Sequence, residues 1–254
     1  MIYKFEECGS QFIQHFFCYM LGGLKDVDLS KRIDVFDNEI STSYKKESFK
    51  ILSDVLNIVP KTDDFKLIPH AKPLDGRNND GRSIFQPGSI EFVRELFNTR
   101  VEDNFDTAGF ERIYICRNRS HLHESNINDN NAQRRQVLNE GDVVKSLEDI
   151  GIRCIFFEDY TVEQKIQIVR NASQIISPQG GGLIFTIWAN KNADIVEIYP
   201  PNPHQYIDQY LHICRILDIP FRRFCDVEQV NKNEFCFDNM IVDPIKLINF
   251  VNNK

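Results

Sequence analysis

Residues 174–188 read QIISPQGGGLIFTIW. The first four residues form a short β-rich run, one proline and three glycines interrupt it, and an apolar run with helical character follows at 183–188. The same alternation continues on both sides of this stretch. The predicted strands are 112–116, 152–157, 174–177 and 193–199, and the predicted helices are 137–150, 161–171, 183–188 and 205–217. This spacing predicts an α/β fold with a parallel, doubly wound sheet and right-handed crossovers.

Three residues indicate where two of these helices begin or end. Gly151 stands where the stripe of apolar residues in 137–150 stops, so it is expected to end that helix. Thr161 and Gln164 have the spacing of a capping box at the start of the helix 161–171. Both signals agree with the hydrophobic pattern, so the second half of the chain is the more clearly patterned half.

The first hundred residues are less regular, but they also favour α/β order. The predicted elements are a helix at 11–24, a strand at 32–36, a helix at 44–57 and a strand near 65–69. Residues 72–89 are rich in Gly, Pro, Asn and Asp and indicate a long loop, and 99–110 indicates a linker. We therefore expect two α/β lobes, 1–105 and 106–254, with the first lobe reduced in size.

The composition excludes several classes of protein. The 254 residues include 37 acidic and 30 basic side chains, for a formal net charge of −7, so we expect no nucleic-acid partner, which would need a basic face. The apolar run 12–24 is too short to cross a bilayer, and the preceding Glu6 and Glu7 do not fit the basic start of a signal peptide. Seven scattered cysteines without a C-x-x-C pair indicate reduced thiols rather than disulfides or a zinc site. These features predict a cytoplasmic protein.

Candidate ligand-binding residues follow the predicted strands, because ligands bind at the carboxyl ends of a parallel sheet. Between 112 and 135 there are five arginines against two acids, and Arg117 and Arg135 stand at strand-to-helix junctions. Arginine binds phosphate through bidentate, charge-assisted hydrogen bonds, although a solvated basic loop is the alternative. The glycines of 180–182 would let backbone N–H groups approach an anion, although a tight structural turn explains them nearly as well.

Three further sites have a functional and a structural interpretation. Glu197 lies inside an apolar run, so it either bonds a sugar hydroxyl or pairs with a neighbouring arginine. His15 lies in an apolar helical segment, where a satisfied core residue is the commoner outcome and a general base is the alternative. Asp26 and Asp28 have the Asp-x-Asp form of some metal-binding transferases, but their place after a helix favours a solvated loop.

Five segments together resemble glycosyltransferase family 61, which includes plant xylosyltransferases and animal O-linked N-acetylglucosaminyltransferases. They are IYICR (113–117), RRQVLNE (134–140), TVEQ (161–164), ASQIISPQGGGL (172–183) and IVEIYP (195–200). The segment around His15 and the residues 242–244 are also similar to the family. The resemblance implies a GT-B fold, with two Rossmann-like lobes facing a cleft. It also implies inverting, metal-independent transfer from a nucleotide sugar to a glycan or protein acceptor, with no cofactor.

Carried over by position, the resemblance implies that Arg117 and Arg135 contact the donor diphosphate and that His15 is the candidate base. Further donor-binding residues are predicted from the resemblance and from their positions near the ends of the predicted strands. They are Asn139, Glu140, Gln164, Gln179, Gly180, Gly181, Gly182 and Glu197. The loop departs from the family's His-Gly-Ala-Gly, since Gln179 and Gly181 replace the His and the Ala. Gln179 cannot titrate, so a degenerate nucleotide- or glycan-binding protein is the alternative hypothesis. An α/β enzyme acting on a phosphorylated metabolite is a third. A uridine diphosphate sugar is the favoured donor.

Overall fold

The structure is a computed structural model of the chain. Of His15 and Phe5 it describes the backbone and not the side chain. The described residues are 2–5, 15–36, 42–60, 62–68, 85–86, 88–117, 136–199, 208–230 and 239–253.

The chain divides into two compact units. Unit 1 comprises Met1–Phe105 together with Thr161–Gln167, and unit 2 comprises Asp106–Tyr160 together with Ile168–Lys254. Residues 161–167 therefore group with the first unit, although the sequence assigns them to the second predicted lobe. The roles predicted for the two lobes, acceptor side and donor side, stay predictions.

Unit 1 contains a four-stranded parallel sheet in the order β3-β2-β1-β4. The strands are β1 (Ile2–Phe5), β2 (Ile33–Phe36), β3 (Leu56–Ile58) and β4 (Lys66–Ile68). The helical segments are a π-helix (His15–Met20), a 3₁₀ helix (Leu21–Asp26), α1 (Ser43–Ile51) and α2 (Ser89–Asn98). The sequence pattern predicts β2 and β4 but not β1, whose four residues are too few to show a period.

One predicted helix of unit 1 is wrong at its end. The apolar spacing predicts a helix over 44–57, but α1 ends at Ile51 and a turn at 52–55 leads into β3. Leu56 pairs with Ile33 of β2, so the backbone of 56–58 is used in the sheet. Pairing with a neighbouring strand overrides the helical spacing, because short apolar runs fit either element.

Unit 2 contains a five-stranded sheet in the order β6-β5-β7-β8-β9, and every adjacent pair is parallel. Its strands are β5 (Arg112–Ile115), β6 (Arg153–Ile155), β7 (Gln174–Pro178), β8 (Asp194–Ile198) and β9 (Phe221–Phe224). The predicted α/β class with a parallel sheet is confirmed. The strand β9 is not predicted, because Arg222 and Arg223 interrupt its apolar pattern.

Helices cover the sheet of unit 2. The helices of unit 2 are α3 (Glu140–Glu148), α5 (Gln209–Ile216) and α6 (Pro244–Asn252), with 3₁₀ helices at Phe157–Asp159 and Gly181–Trp188. Of the helix α4 (Val162–Asn171), residues 162–167 belong to unit 1 and residues 168–171 to unit 2. The helix α3 packs against α6, and α5 packs against the 3₁₀ helix 181–188. A buried core that includes Tyr114, Ile176 and Val196 of the sheet continues into Leu247 of α6. A separate antiparallel pair is formed by β10 (Val227–Val230) and β11 (Asn239–Val242).

The local signals for helix ends are confirmed. The N–H of Thr161 donates to Oε1 of Gln164 at 2.9 Å, and the N–H of Gln164 donates to Oγ1 of Thr161 at 3.2 Å, which is a complete capping box. Gly151 has a φ of +76°, a conformation that glycine adopts without strain at the end of a helix. At the start of α6, Asp243 accepts hydrogen bonds from the N–H groups of Ile245 and Lys246.

Candidate functional site

The strand order of unit 2 marks one position as the expected ligand site. The chain enters the sheet at β5, adds β6 on one side, and then crosses to β7 on the other side. The carboxyl ends of β5 and β7 therefore flank a topological switch point. In open parallel sheets, ligands bind in the crevice that such a switch point leaves.

Arg117 lies at this switch point, two residues beyond the end of β5. Its Nη1 donates a hydrogen bond to the backbone carbonyl of Gln179, which directly follows β7. The N–H of Gln179 donates to the carbonyl of Ile198 at 3.0 Å, so the turn is also joined to β8. The structure thus brings together the predicted arginine and the predicted glycine turn.

Gly180 allows the guanidinium of Arg117 to lie close to the backbone of the turn. A Cβ built on Gly180 would lie 2.5 Å from Nη1 of Arg117. The φ of Gly180 is 173°, which is extended backbone that any residue can adopt. The requirement for glycine at this position is therefore one of space and not of backbone conformation.

Gly181 and Gly182 begin the 3₁₀ helix that follows the turn. A Cβ on Gly182 would lie 3.0 Å from Cγ2 of Ile115, so this glycine allows the 3₁₀ helix to pack closely on β5. The N–H of Leu183 is bonded to the carbonyl of Gly180 at 3.1 Å. Close packing thus explains Gly182, while clearance for a cation explains Gly180.

Glu140 joins the interior of β5 to its end. It is 6% exposed, and its Oε1 accepts hydrogen bonds from the hydroxyl of Tyr114 at 2.8 Å and from the N–H of Arg117 at 3.0 Å. Burial, and next the charge of Glu140, raise the pKa of Tyr114 well above its ordinary value. Tyr114 is a site residue that the sequence does not reveal, because nothing in a buried strand pattern shows which side chain its hydroxyl meets.

Asn139 and Gln164 have structural contacts. The side-chain amide of Asn139 donates to the carbonyl of Val242 at 2.7 Å, and its Oδ1 accepts from the N–H of Val242 at 3.0 Å. These two bonds fix the start of α3 to β11. The side chain of Gln164 completes the capping box of α4. The donor-binding roles implied for both residues stay predictions.

Glu197 is fully buried, and the structure pairs it with an arginine. Its Oε2 accepts from Nε of Arg223 at 2.7 Å, and Nη1 of Arg223 also reaches Asp208 at 2.6 Å. The guanidinium stacks over the ring of Tyr199 at 4.3 Å. Burial lowers the pKa of Arg223, but the charges and hydrogen bonds of Glu197 and Asp208 outweigh it and raise that pKa above its usual value. The arginine-pairing interpretation of Glu197 is therefore the observed one.

Comparison with known proteins adds the family. A family model described as Glycosyltransferase 61 matches residues 13–196, which is more than half of the chain. The chain belongs to glycosyltransferase family 61. The resemblance seen in the sequence is confirmed, and the chain is thereby classed as a glycosyltransferase.

One curated relative is the human protein O-linked-mannose β-1,4-N-acetylglucosaminyltransferase 2. It is 30% identical to this chain over 79 residues, which are 29% of this chain and 14% of that protein. The matched segment thus spans about one seventh of the length of this relative. The stretch 13–196 matched to family 61 contains Arg117, Glu140 and the glycine turn, and it ends one residue before Glu197.

Two family-derived predictions concern residues that the structure describes in part or not at all. His15 begins the π-helix of unit 1, but its side chain lies outside the description. Arg135 and its neighbour Arg134 lie outside the described residues. The candidate base and the second diphosphate-binding arginine of this family 61 chain therefore stay predictions.

The Asp-x-Asp segment has the contacts of a solvated loop. Asp26 is 58% exposed on its side chain and pairs with Lys25 at 3.0 Å. Oδ1 of Asp28 accepts from the N–H of Ser30 at 2.9 Å, and the hydrogen bonds from Ser30 lower the pKa of Asp28. Among the described residues, no group of three or more His, Cys, Asp or Glu side chains could hold a metal ion.

Within the described ranges, no helix combines the length and the apolar character that crossing a bilayer requires.

Proposed function

We propose that this chain transfers a sugar from a nucleotide-sugar donor to a hydroxyl group, and that unit 2 binds the donor. One observation carries the proposal: Arg117 meets the glycine turn at the switch point between β5 and β7. Open parallel sheets bind nucleotides at this position. A guanidinium next to glycine residues, whose backbone N–H groups a ligand can approach closely, suits a diphosphate. Membership of glycosyltransferase family 61 supports a sugar as the transferred group.

The chemistry asks the protein to stabilise negative charge on the departing nucleoside diphosphate. Arg117, together with Arg135 and the backbone amides of 180–182, would supply fixed positive charge and hydrogen-bond donors for that group. Preorganised donors of this kind commonly contribute the largest share of catalysis, and arginine stays charged at any working pH. The transfer is accordingly proposed to proceed without a metal ion. Inversion at the anomeric carbon is proposed from the resemblance to the family.

The acceptor side is assigned to unit 1, with His15 as the base that takes the proton from the acceptor hydroxyl. A histidine suits this role because its ordinary pKa lies near neutrality. The proposed fold type is GT-B, and the proposed acceptor is a glycan or a protein. A cytoplasmic location stays a prediction from the sequence.

The donor is proposed to be a uridine diphosphate sugar. The name of the human relative specifies N-acetylglucosamine as the transferred sugar and an O-linked mannose as its acceptor. We therefore choose uridine diphosphate N-acetylglucosamine as the first donor to test and a mannose-terminated glycan as the first acceptor.

The test has two stages. Isothermal titration with uridine, guanosine, cytidine and thymidine diphosphates measures which nucleotide binds. A panel of the corresponding nucleotide sugars is then incubated with and without acceptor, and nucleotide release is measured. Tight binding without release or transfer across the panel would favour the degenerate binder that Gln179 suggests. Equal preference for simple sugar phosphates and nucleotide sugars would favour an enzyme of phosphorylated metabolites.

A further inference from the structure

The contacts of Glu140 form part of a path of hydrogen bonds. This path runs from Tyr114, in the interior of unit 2, through Glu140 and Arg117 to Gln179 at the glycine turn. The hydroxyl of Tyr114 donates to Oε1 of Glu140, and the same oxygen accepts from the N–H of Arg117. The other end of Arg117, its Nη1, donates to the carbonyl of Gln179. Oε1 of Glu140 therefore contacts both Tyr114 and Arg117, and the side chain of Arg117 reaches the turn that follows β7.

Tyr114 and Glu140, at the inner part of this path, are both buried in packed parts of the unit. Tyr114 is completely buried in β5, in the core that α3 and α6 cover. Glu140 is the first residue of α3, and its neighbour Asn139 is bonded twice to Val242 of β11. A site residue is held accurately when the groups behind it are locked by packing and hydrogen bonds.

We propose that Tyr114 is a positioning residue for donor binding, which acts through Glu140 to hold Arg117 where the nucleotide diphosphate docks. The inference rests on the proposed function of Arg117 and the glycine turn. Tyr114 touches no substrate in this scheme; its hydroxyl orients the Glu140 carboxylate. Because the pKa of Tyr114 is raised by burial and by Glu140, the phenol stays protonated and donates at every working pH.

The same contacts change the role of Glu140. The sequence resemblance implies a residue that shapes the donor pocket, whereas the geometry has its Oε1 accept from Tyr114 and Arg117. In this role Glu140 needs an acceptor oxygen at that place more than it needs a negative charge. The variant Glu140→Gln keeps an acceptor oxygen, and Glu140→Ala removes it.

The experiment measures the Kd of uridine diphosphate by isothermal titration for the full chain and for a set of variants. Tyr114→Phe is expected to raise the Kd about tenfold, which is the typical loss for one hydrogen bond to a charged group. Glu140→Ala is expected to raise it at least as much, and Glu140→Gln to stay within about threefold of the wild type. In the Glu140→Ala background, Tyr114→Phe is expected to have no further effect, because the two groups act as one path.

The matched control is Tyr210→Phe. Tyr210 is as buried as Tyr114, but it lies on α5. Its variant should leave the Kd unchanged, and the KM for the acceptor should be the same in both tyrosine variants. Thermal unfolding of each variant shows whether it is folded, and Tyr114→Phe and Glu140→Gln suffice if Glu140→Ala does not fold.

The outcomes separate the two proposals. If the wild-type chain binds none of the four nucleoside diphosphates, the proposed function fails and this inference fails with it. If the wild type binds and Arg117→Ala weakens binding while Tyr114→Phe does not, only the positioning role is overturned. Additive effects of Tyr114→Phe and Glu140→Ala, or an equal loss in Tyr210→Phe, would overturn it as well.

Discussion

Two arginines at opposite ends of the five-stranded sheet in unit 2, Arg222 and Arg117, have different contacts. At the amino ends of the strands, Arg222 forms a two-pronged pair with Asp194, with distances of 2.6 and 2.9 Å. Gln174 donates to the same carboxylate at 2.9 Å and to the carbonyl of Val251 in α6 at 2.9 Å. Arg112 donates to Oε1 of Gln174 at 2.9 Å. This network links four strands, β5, β7, β8 and β9, to the end of α6.

At the carboxyl end of β5, the backbone N–H of Arg117 donates to Oε1 of Glu140. The guanidinium of Arg117 reaches the turn that follows β7, where it donates to the main-chain carbonyl of Gln179. Gly180 leaves room beside the guanidinium. Arg222 thus belongs to a carboxylate-centred network within the sheet, whereas Arg117 is the arginine proposed to bind the donor diphosphate. Substitution of Asp194, the partner of Arg222, should therefore lower the free energy of unfolding, whereas substitution of Arg117 should weaken sugar transfer.

The largest expected effect follows from Arg117→Ala. Loss of one preorganised donor to the leaving group should lower kcat/KM for transfer about 100-fold or more, with little change in the melting temperature. The measurement is transfer from uridine diphosphate N-acetylglucosamine at varied donor concentration. Arg153→Ala is the control, because Arg153 is exposed in unit 2 and stacks over Phe110 at 3.7 Å. An equal loss in both variants would contradict the special role of Arg117.

Asp194→Ala tests the amino-end network. Removing one partner leaves the Arg222 guanidinium, whose side chain is 25% exposed, without its carboxylate, so the free energy of unfolding should fall by about 3 kcal/mol. Urea denaturation measures this change. Asp226→Ala is the control, since Asp226 pairs with Lys246 on the surface with 63% of its side chain exposed, and should change stability by less than about 1 kcal/mol. The Kd for nucleotide should be unchanged in both variants, and a weakened Kd in Asp194→Ala would break the distinction between the two ends.

Gly180→Ala tests whether clearance matters at the carboxyl end. The new methyl group would clash with the guanidinium of Arg117 and would lie only at ordinary contact distance from the backbone, so the fold should keep its stability while the guanidinium is displaced. We expect the Kd of uridine diphosphate to rise about tenfold, the equivalent of one lost charge-assisted hydrogen bond. Gly141→Ala is the control, because a Cβ there has nothing within 4 Å. Binding as tight as in the wild type would show that the space beside Arg117 has no function.

Gln164→Ala tests a residue that is predicted to bind the donor but that caps the start of α4 in the structure. Loss of its capping-box bond to Thr161 should lower the free energy of unfolding by about 1 kcal/mol, without a change in the Kd of nucleotide. Urea denaturation and titration on the same preparation give both numbers. Exposed Glu163 on the same helical turn supplies the control variant Glu163→Ala. A rise in the Kd for Gln164→Ala alone would return this residue to the donor site.

The smallest expected effect is that of metal removal. Since arginine and backbone amides are proposed to neutralise the diphosphate, a chelator should leave the transfer rate unchanged, and added Mg²⁺ or Mn²⁺ should not raise it. The measurement is the initial rate after dialysis against chelator. A rate that collapses and is restored by one divalent ion would replace arginine by a metal as the main source of positive charge.

The sequence was sufficient to predict the elements whose hydrophobic pattern is clear and is bounded by turn residues. The strands near 112–116, 174–177 and 193–199 are buried apolar runs between turn residues, and the structure has strands at each of them. Short elements without a period, such as β1, could not be predicted. The predicted helix 44–57 was wrong at its end for a different reason, because residues 56–58 pair with β2 as the strand β3 and this pairing overrides the helical spacing.

The site divides in the same way. The sequence alone indicated Arg117 and the glycine turn, because the residues that follow strands in a parallel sheet share one edge whatever the strand order. Only the tertiary structure decided that β5 and β7 are neighbours, that Tyr114 holds Glu140, and that Glu197 is paired with Arg223. These pairings join residues 26 positions apart in the chain, and hydrogen-bond partners at such separations are set by strand order and side-chain direction, which no local pattern encodes.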